Sequence, residues 1–110
     1  MEFNQSRHDI IASLIALCNG FEWDAGNINK NWFSHKVTDA ESEEIFDNVP
    51  LMLGDDPKHS QSEDRYISLG KTDANKLLSV VFTIRRDKIR IISARPMSVK
   101  DRRDYGGQEA

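Results

Sequence analysis

Several features that would assign the chain to a common class are scarce or missing. There is one cysteine, Cys18, among 110 residues, so the chain forms neither an internal disulfide nor a cysteine-based zinc site. Its most apolar stretch, residues 10–18, is much shorter than the roughly 20 residues that a membrane-spanning helix needs. Glu2 and Asp9 precede that stretch and no small-residue cleavage site follows it, which argues against a signal peptide. We therefore expect a globular protein of the reducing cytoplasm.

An excess of positive charge, the usual mark of a nucleic-acid-binding protein, is also missing, because the net charge is −3. The charge is distributed unevenly along the chain. Residues 1–64 hold 4 Lys and Arg against 13 Asp and Glu, whereas residues 65–110 hold 11 against 5. Most of the basic side chains lie within residues 85–103. This asymmetry favours an anionic partner for the basic part, and the alternative is a solvated, salt-bridged surface.

The length fits one domain, since a second core would bury too little surface. Hydrophobic periodicity predicts an N-terminal helix and a short edge strand at residues 21–24. A further helix over residues 27–35 would place Ile28, Asn31, Trp32 and His35 on one face. Strands are predicted near residues 51–53, 65–70, 77–84 and 88–95, with a loop from Gly54. This order indicates an α+β fold in which helices pack against an antiparallel sheet.

Three helix starts carry a capping box, in which a hydroxyl side chain and an acidic side chain three residues later each accept a backbone N–H. The pairs are Ser6 with Asp9, Thr38 with Glu41, and Ser98 with Asp101. The first pair would open an amphipathic helix that ends near Gly20, and the last would open a helix through about Asp104.

A two-residue turn at Arg86 and Asp87 fixes the expected register of the last hairpin. It pairs Phe82 with Ile91, Thr83 with Arg90, and Val80 with Ser93. The core face of this hairpin then carries Leu78, Val80, Phe82, Ile84, Ile89 and Ile91. The open face carries Ser79, Val81, Thr83, Arg90, Ile92 and Ala94, and Arg95 falls at the far end of the core face.

Five blocks of the sequence, taken together, resemble the BrnT family of toxins from bacterial toxin-antitoxin pairs. They are FEWD (residues 21–24), KNW followed by His35 and Val37, EDRYISLG (63–70), LLSVVFTIR (77–85) and IRIISARPMSVKDRRDY (89–105). The resemblance implies a RelE-like α+β fold and a ribonuclease that slows translation. It also implies a cognate antitoxin, BrnA, which inactivates the toxin and binds the promoter DNA. Residues 1–20 would be an N-terminal extension, and residues 21–110 the toxin domain.

RNA cleavage needs a group that stabilises charge on the reacting phosphate, and it is accelerated by proton acceptors and donors. Arginine suits the first task because its planar fork binds two phosphate oxygens and stays charged. The family blocks therefore make Arg65, Arg90 and Arg95 the candidate catalytic arginines. His35 and Tyr105 are candidates for proton transfer, as is Glu63. Basic side chains expected to contact the RNA backbone are Arg85, Lys88, Lys100, Arg102 and Arg103.

Several of these residues also have purely structural interpretations. His35 would then be a packing residue, and Arg90 would form a cross-strand ion pair with Asp64. Trp23 and Trp32 are expected in the core rather than under RNA bases. Asp55, Asp56 and His59 share one loop but are typical of a solvated turn, so no metal or other cofactor is expected.

Two positions depart from the family pattern. Asn27 stands where many relatives have a lysine, and Ser34 stands in place of the lysine of a KHG motif. Both changes remove positive charge from the helix that would contact RNA. They leave open an alternative function, a catalytically inactive BrnT-like module that only pairs with an antitoxin or another partner protein.

Overall fold

The computed structural model describes residues 3–57 and 62–109. One antiparallel sheet has the strand order β1-β2-β3-β4, and four helices accompany it. The strands are β1 (Met52–Asp55), β2 (Arg65–Lys71), β3 (Leu77–Arg85) and β4 (Lys88–Pro96). The helices are α1 (Gln5–Ala16), α2 (Lys30–His35), α3 (Asp39–Glu44) and α4 (Val99–Glu109), with a 3₁₀ turn (Ile45–Asp47) after α3. The predicted α+β class is confirmed. None of the helices in the described ranges is long and apolar enough to cross a membrane.

The two faces of the sheet bury different sets of side chains. The first face carries the larger core, to which α1, the 3₁₀ turn and Val37 contribute. Phe46 lies at its centre, with edge-on contacts to Phe21 and Phe82 at ring centroid distances of 5.6 and 5.2 Å. Among the described residues, the second face is covered at one end by α4, where Met52, Leu69, Met97 and Tyr105 pack together. The other end of the second face is left to polar and charged side chains.

Local side-chain caps explain where most helices begin. The capping boxes predicted at Thr38 and Ser98 are both present. The one predicted at Ser6 is wrong: α1 begins after Asn4, whose side chain accepts the Arg7 N–H at 2.9 Å. The second helix begins three residues later than expected because Asn29 adopts a left-handed backbone conformation (φ 57°), which interrupts a helix.

The last hairpin follows the expected register only near its turn. Phe82 pairs with Ile91 and Thr83 with Arg90, as predicted. Farther along, Val80 pairs with Ala94, so its predicted pairing with Ser93 is wrong. The cause is a β-bulge that leaves Ile92 without a partner on β3, and an extra residue reverses the alternation of side chains beyond it.

This bulge reverses the faces of the residues that follow it on β4. Ala94 is completely buried in the first-face core, where the prediction had an open position. Arg95 pairs with Ser79 and lies on the second face, although the prediction placed it on the core face. Arg90 and Arg95 therefore project from the same side of β4, five residues apart.

The outer edge of β4 is covered by the chain segment that precedes α2. Phe21 forms a single parallel bridge with Ile89, which corrects the short strand predicted at residues 21–24. Two buried asparagines complete the cover. The Asn27 side chain donates to the Ile91 carbonyl at 3.1 Å, and the Asn31 side chain accepts the Ala94 N–H at 2.9 Å. These bonds satisfy backbone groups that would otherwise form an open sheet edge.

The N-terminal helix shares the core of the sheet. Ile11 is completely buried and packs in one cluster with Leu53 and Phe82. Arg7 adds a two-pronged ion pair to Asp55 on β1, with N···O distances of 2.6 and 2.7 Å. Asp55 is the last residue of β1 and pairs with Tyr66 of β2, although the sequence predicted a loop there. His59, its predicted loop neighbour, lies outside the described residues.

Replacing Ile11 with alanine should lower the free energy of unfolding by about 2–5 kcal/mol, because the change leaves a cavity in the core. Ile10 is the matched control: it has the same side chain on the same helix but is 48% exposed. Ile10→Ala should cost well under 1 kcal/mol. Urea unfolding of the two variants measures the difference, and equal losses would show that α1 does not contribute through Ile11.

Candidate active site

Six charged side chains form a row at the open end of the second face. They alternate in sign, and each lies within 4 Å of the next. In order the row runs Asp24, Arg90, Glu22, Arg85, Glu63, Arg65. We call this set the charged row. Its three arginines come from β2, β3 and β4, and its acidic members come from the segments that precede β2 and α2.

Arg90 is the most enclosed member of the charged row. Its guanidinium donates to both oxygens of Asp24 at 3.0 Å and to Glu22 at 2.9 Å, and only 10% of its side chain is exposed. Gly26 permits this approach, because a Cβ at that position would lie 2.9 Å from the nearest guanidinium nitrogen. The ion pair expected for Arg90 is thus present, but the partner predicted from the sequence, Asp64, was wrong.

The ion pairs favour the charged form of two acidic members of the row, Asp24 and Glu63. Hydrogen bonds from Arg90 lower the pKa of Asp24, with help from the Gly26 N–H. Hydrogen bonds from Arg85, at 3.1 and 3.2 Å, lower the pKa of Glu63. Burial opposes this shift, and the positive charges of Arg85 and Arg65 support it. Glu63 is therefore a carboxylate at neutral pH, with two arginines beside it.

Glu63 lies between two arginines at an accessible position. Arg65 is 3.8 Å from one Glu63 oxygen, and Arg85 contacts both oxygens. About a quarter of the Glu63 side chain and nearly half of the Arg85 side chain are exposed. A ligand can therefore contact Glu63 and Arg85 directly. Arg90, in contrast, is largely enclosed and already bound by Glu22 and Asp24. The arrangement offers two phosphate-binding forks and one proton acceptor.

The basic residues predicted near the C-terminus lie at some distance from the charged row. Arg95 donates to Asp101 at 3.0 Å and so ties β4 to the start of α4. Arg102 and Arg103 are exposed on α4, and Lys100 pairs with Asp104 one turn away. Lys88 lies beside the hairpin turn and donates to the Asn19 carbonyl. Of the three candidate catalytic arginines, the structure brings Arg65 and Arg90 into one network and keeps Arg95 apart.

The two remaining candidates for proton transfer occupy contrasting environments. Tyr105 is completely buried in the second-face cluster, and its hydroxyl donates to the Pro50 carbonyl at 2.6 Å. That contact anchors α4 to the segment before β1. His35 ends α2 and is exposed, so the packing interpretation of this histidine is wrong. None of the hydrogen bonds within the described ranges connects His35 to the charged row.

Sequence reasoning missed two members of the network and assigned a different role to a third. Glu22 and Asp24 belong to the FEWD block but had no assigned role, and Arg85 was expected only to contact the RNA backbone. The available signal was the opposite net charge of the two parts of the chain. Trp32 was also misassigned: Trp23 is partly buried in the core as predicted, whereas Trp32 is 44% exposed.

Comparison with protein families shows which family the chain belongs to. Residues 23–101 match the family described as "Ribonuclease toxin, BrnT, of type II toxin-antitoxin system". The match spans more than half of the chain. The chain belongs to the BrnT family. Every member of the charged row except Glu22 lies inside the matched segment, as do β1–β4. No curated protein matches the chain. Membership indicates a ribonuclease toxin of a type II toxin-antitoxin system, and such a system includes an antitoxin partner.

Arg90→Met should destabilise this BrnT family member, because it leaves Glu22 and Asp24 facing each other without their cation. We expect a loss of about 1.5–3 kcal/mol in the free energy of unfolding. Arg102→Met is the matched control, since Arg102 is exposed on α4 and should change stability by less than about 0.5 kcal/mol. Urea unfolding at neutral pH compares them. A loss no larger than that of the control would contradict a structural role for Arg90.

The charged row should also make the stability of the protein depend on pH. A carboxyl group whose pKa is lowered by folding stabilises the protein above its unfolded pKa, and this stabilisation is lost as pH falls through its folded pKa. For Asp24, whose ordinary pKa is 3.8, the loss should occur below about pH 4. Asp24→Asn should be less stable than the parent at neutral pH and should lose less stability on acidification. Thermal unfolding measured from pH 7 to pH 3 tests this, and parallel curves for the two proteins would refute it.

Proposed function

We propose that this BrnT family member is the toxin of a type II pair, a metal-independent endoribonuclease that cleaves RNA in the cytoplasm and thereby slows translation. A cognate BrnA-like antitoxin holds it inactive, and contact with DNA is indirect, through that antitoxin. The observation that carries the proposal is the ionised Glu63 between Arg65 and Arg85 at the open end of the sheet.

The reaction uses the RNA's own ribose. The 2′-hydroxyl attacks the adjacent phosphorus, the bond from phosphorus to the 5′ oxygen breaks, and a cyclic phosphate forms. Glu63 accepts the proton of the attacking hydroxyl, and water protonates the departing 5′ oxygen. Arg65 and Arg85 release their hold on Glu63 in part and bind the phosphate oxygens, where negative charge grows in the transition state. No step in this scheme needs a metal ion.

The other basic residues act around this centre. Arg90 is a positioning residue, because its bonds to Glu22 and Asp24 hold the neighbouring acidic groups in place. Arg95, Lys100, Arg102 and Arg103 form a second basic area at α4, suited to contact the RNA backbone. The same area is suited to an acidic or amphipathic segment of the antitoxin, because charge complementarity accelerates association.

A second function is favoured by one specific observation. The three arginines of the charged row are matched by three carboxylates, so the row has no net charge to attract RNA. A chain with this arrangement also fits a BrnT-like module that binds its antitoxin or another protein and performs no chemistry. Only an assay of cleavage separates the two functions.

Purified protein incubated with RNA in the presence of EDTA provides that assay. We expect cleavage that leaves cyclic phosphate ends. Glu63→Gln should reduce the rate by about 10²- to 10⁴-fold, the usual contribution of a proton acceptor. Arg65→Ala should reduce it by about 10²- to 10³-fold, since it removes a group that stabilises transition-state charge.

Asp9→Asn is the control for Glu63→Gln, because Asp9 is an exposed carboxylate on α1, outside the charged row. It should cleave at the parental rate. Expression in a bacterial host, with and without the gene of the cognate antitoxin, should show growth arrest only when the antitoxin gene is absent. Intact RNA after incubation with the folded protein would favour the binding module, and loss of cleavage on adding EDTA would contradict the metal-independent scheme.

A further inference from the structure

Exposed aromatic side chains on α2 form a patch outside the charged row. Phe33 is 79% exposed and Trp32 is 44% exposed. Ile28, one turn earlier, is also largely exposed. Large apolar side chains grouped on a surface usually mark a binding site, because their hydration costs free energy. None of these three side chains contributes to either core.

Two lysines, Lys30 and Lys36, lie beside the patch. Lys36 Nζ lies 5.3 Å from the centre of the Trp32 ring, in a cation–π arrangement. Lys30 is exposed on the same short helix, and α2 contains no acidic residue. The nearest carboxylate in sequence, Asp39, is occupied as the acceptor of the Asn29 N–H. No ion pair within the described residues involves Lys30 or Lys36.

A hydrogen bond attaches the helix that carries the patch to the edge of the sheet. Asn31, between Lys30 and Trp32, is buried and accepts the Ala94 N–H of β4. The next residue on β4 is Arg95, on the second face. A left-handed Lys36 ends the helix, and its N–H bonds back to the carbonyls of α2. The aromatic rings are thus presented close to the strand that carries two of the arginines.

We propose that Trp32 and Phe33 form a stacking platform for the bases of single-stranded RNA, with Lys30 and Lys36 contacting the adjacent phosphates. This inference rests on the proposed ribonuclease function and names where its substrate is held. Bases stack on aromatic rings whatever their identity, so the platform binds RNA without reading its sequence. Cations beside exposed rings favour an anionic ligand with flat faces over an apolar protein segment, which would leave Lys36 without a counter-charge.

A binding experiment with the full chain tests the platform separately from catalysis. The probe is a single-stranded oligoribonucleotide whose 2′ hydroxyls are methylated, so that it binds but is not cleaved. We expect Phe33→Ala and Trp32→Leu each to weaken binding by about 5- to 150-fold. Trp32→Phe keeps a ring and should retain most of the affinity, whereas Trp32→Leu keeps apolar surface but has no ring to stack on. Rising salt should weaken binding of every protein.

Leu17→Ala is the matched control for Phe33→Ala, because Leu17 is likewise 79% exposed but lies on the C-terminal side of α1. It should bind the probe with parental affinity. Parental affinity in Phe33→Ala and Trp32→Leu, in a protein that still cleaves RNA, would overturn the platform and leave the proposed function standing. Equal affinity of Trp32→Leu and Trp32→Phe would also overturn it. If the parent protein neither binds the probe nor cleaves RNA, both proposals fail, and loss of antitoxin binding in Phe33→Ala would then assign the patch to the partner protein.

Discussion

Arg90 is the residue on which the arrangement of the candidate site depends. Its guanidinium holds Glu22 and Asp24 beside β4, and these two residues belong to a segment with little regular structure of its own. Once that segment is fixed, Asn27 and Asn31 reach the backbone of β4. The helix that carries the exposed aromatic rings follows directly. A single cation thus organises the edge of the sheet.

The charge asymmetry of the sequence has a structural explanation within the molecule. Acidic side chains from the N-terminal part pair with basic side chains from the C-terminal part, as in Glu22 with Arg90 and Glu63 with Arg85. Lys76 with Glu41 repeats the pattern away from the site. Ion pairs formed on folding therefore neutralise much of the positive charge of residues 65–110. The cations left for an external partner are concentrated on α2 and α4, where exposed Lys36 and Arg102 lie.

Features set by neighbouring residues could be predicted from the sequence. The capping boxes at Thr38 and Ser98 and the hairpin turn depend on a few adjacent residues, and all three are present. The three arginines of the charged row were identifiable from the blocks of the sequence that contain them. Their partners were not, because Glu22 and Arg90 are 68 residues apart and meet only through the fold.

The errors have physical causes of two kinds. The bulge at Ile92 has no strong local signal, since a strictly alternating strand was equally compatible with the residues of β4. Trp32 follows helical apolar spacing, but it lies on a six-residue helix whose buried position is taken by Asn31. Asn31 is buried because its side-chain oxygen accepts the Ala94 N–H at the sheet edge, a backbone group that would otherwise have no partner. Trp32 is left on the exposed side of the helix.

The bulge also bears on how this hairpin tolerates insertion and deletion. Because Ile92 is the extra residue of the bulge, Ala94 faces the first-face core and Arg95 faces the second side of the sheet. Deleting it would restore simple alternation and rotate every later residue of β4 by half a turn, so that Ala94 would face outward and Arg95 would face the apolar core. Chimaeras that exchange this hairpin between related chains must therefore preserve the length of β4 to the residue, even where the sequence itself can vary.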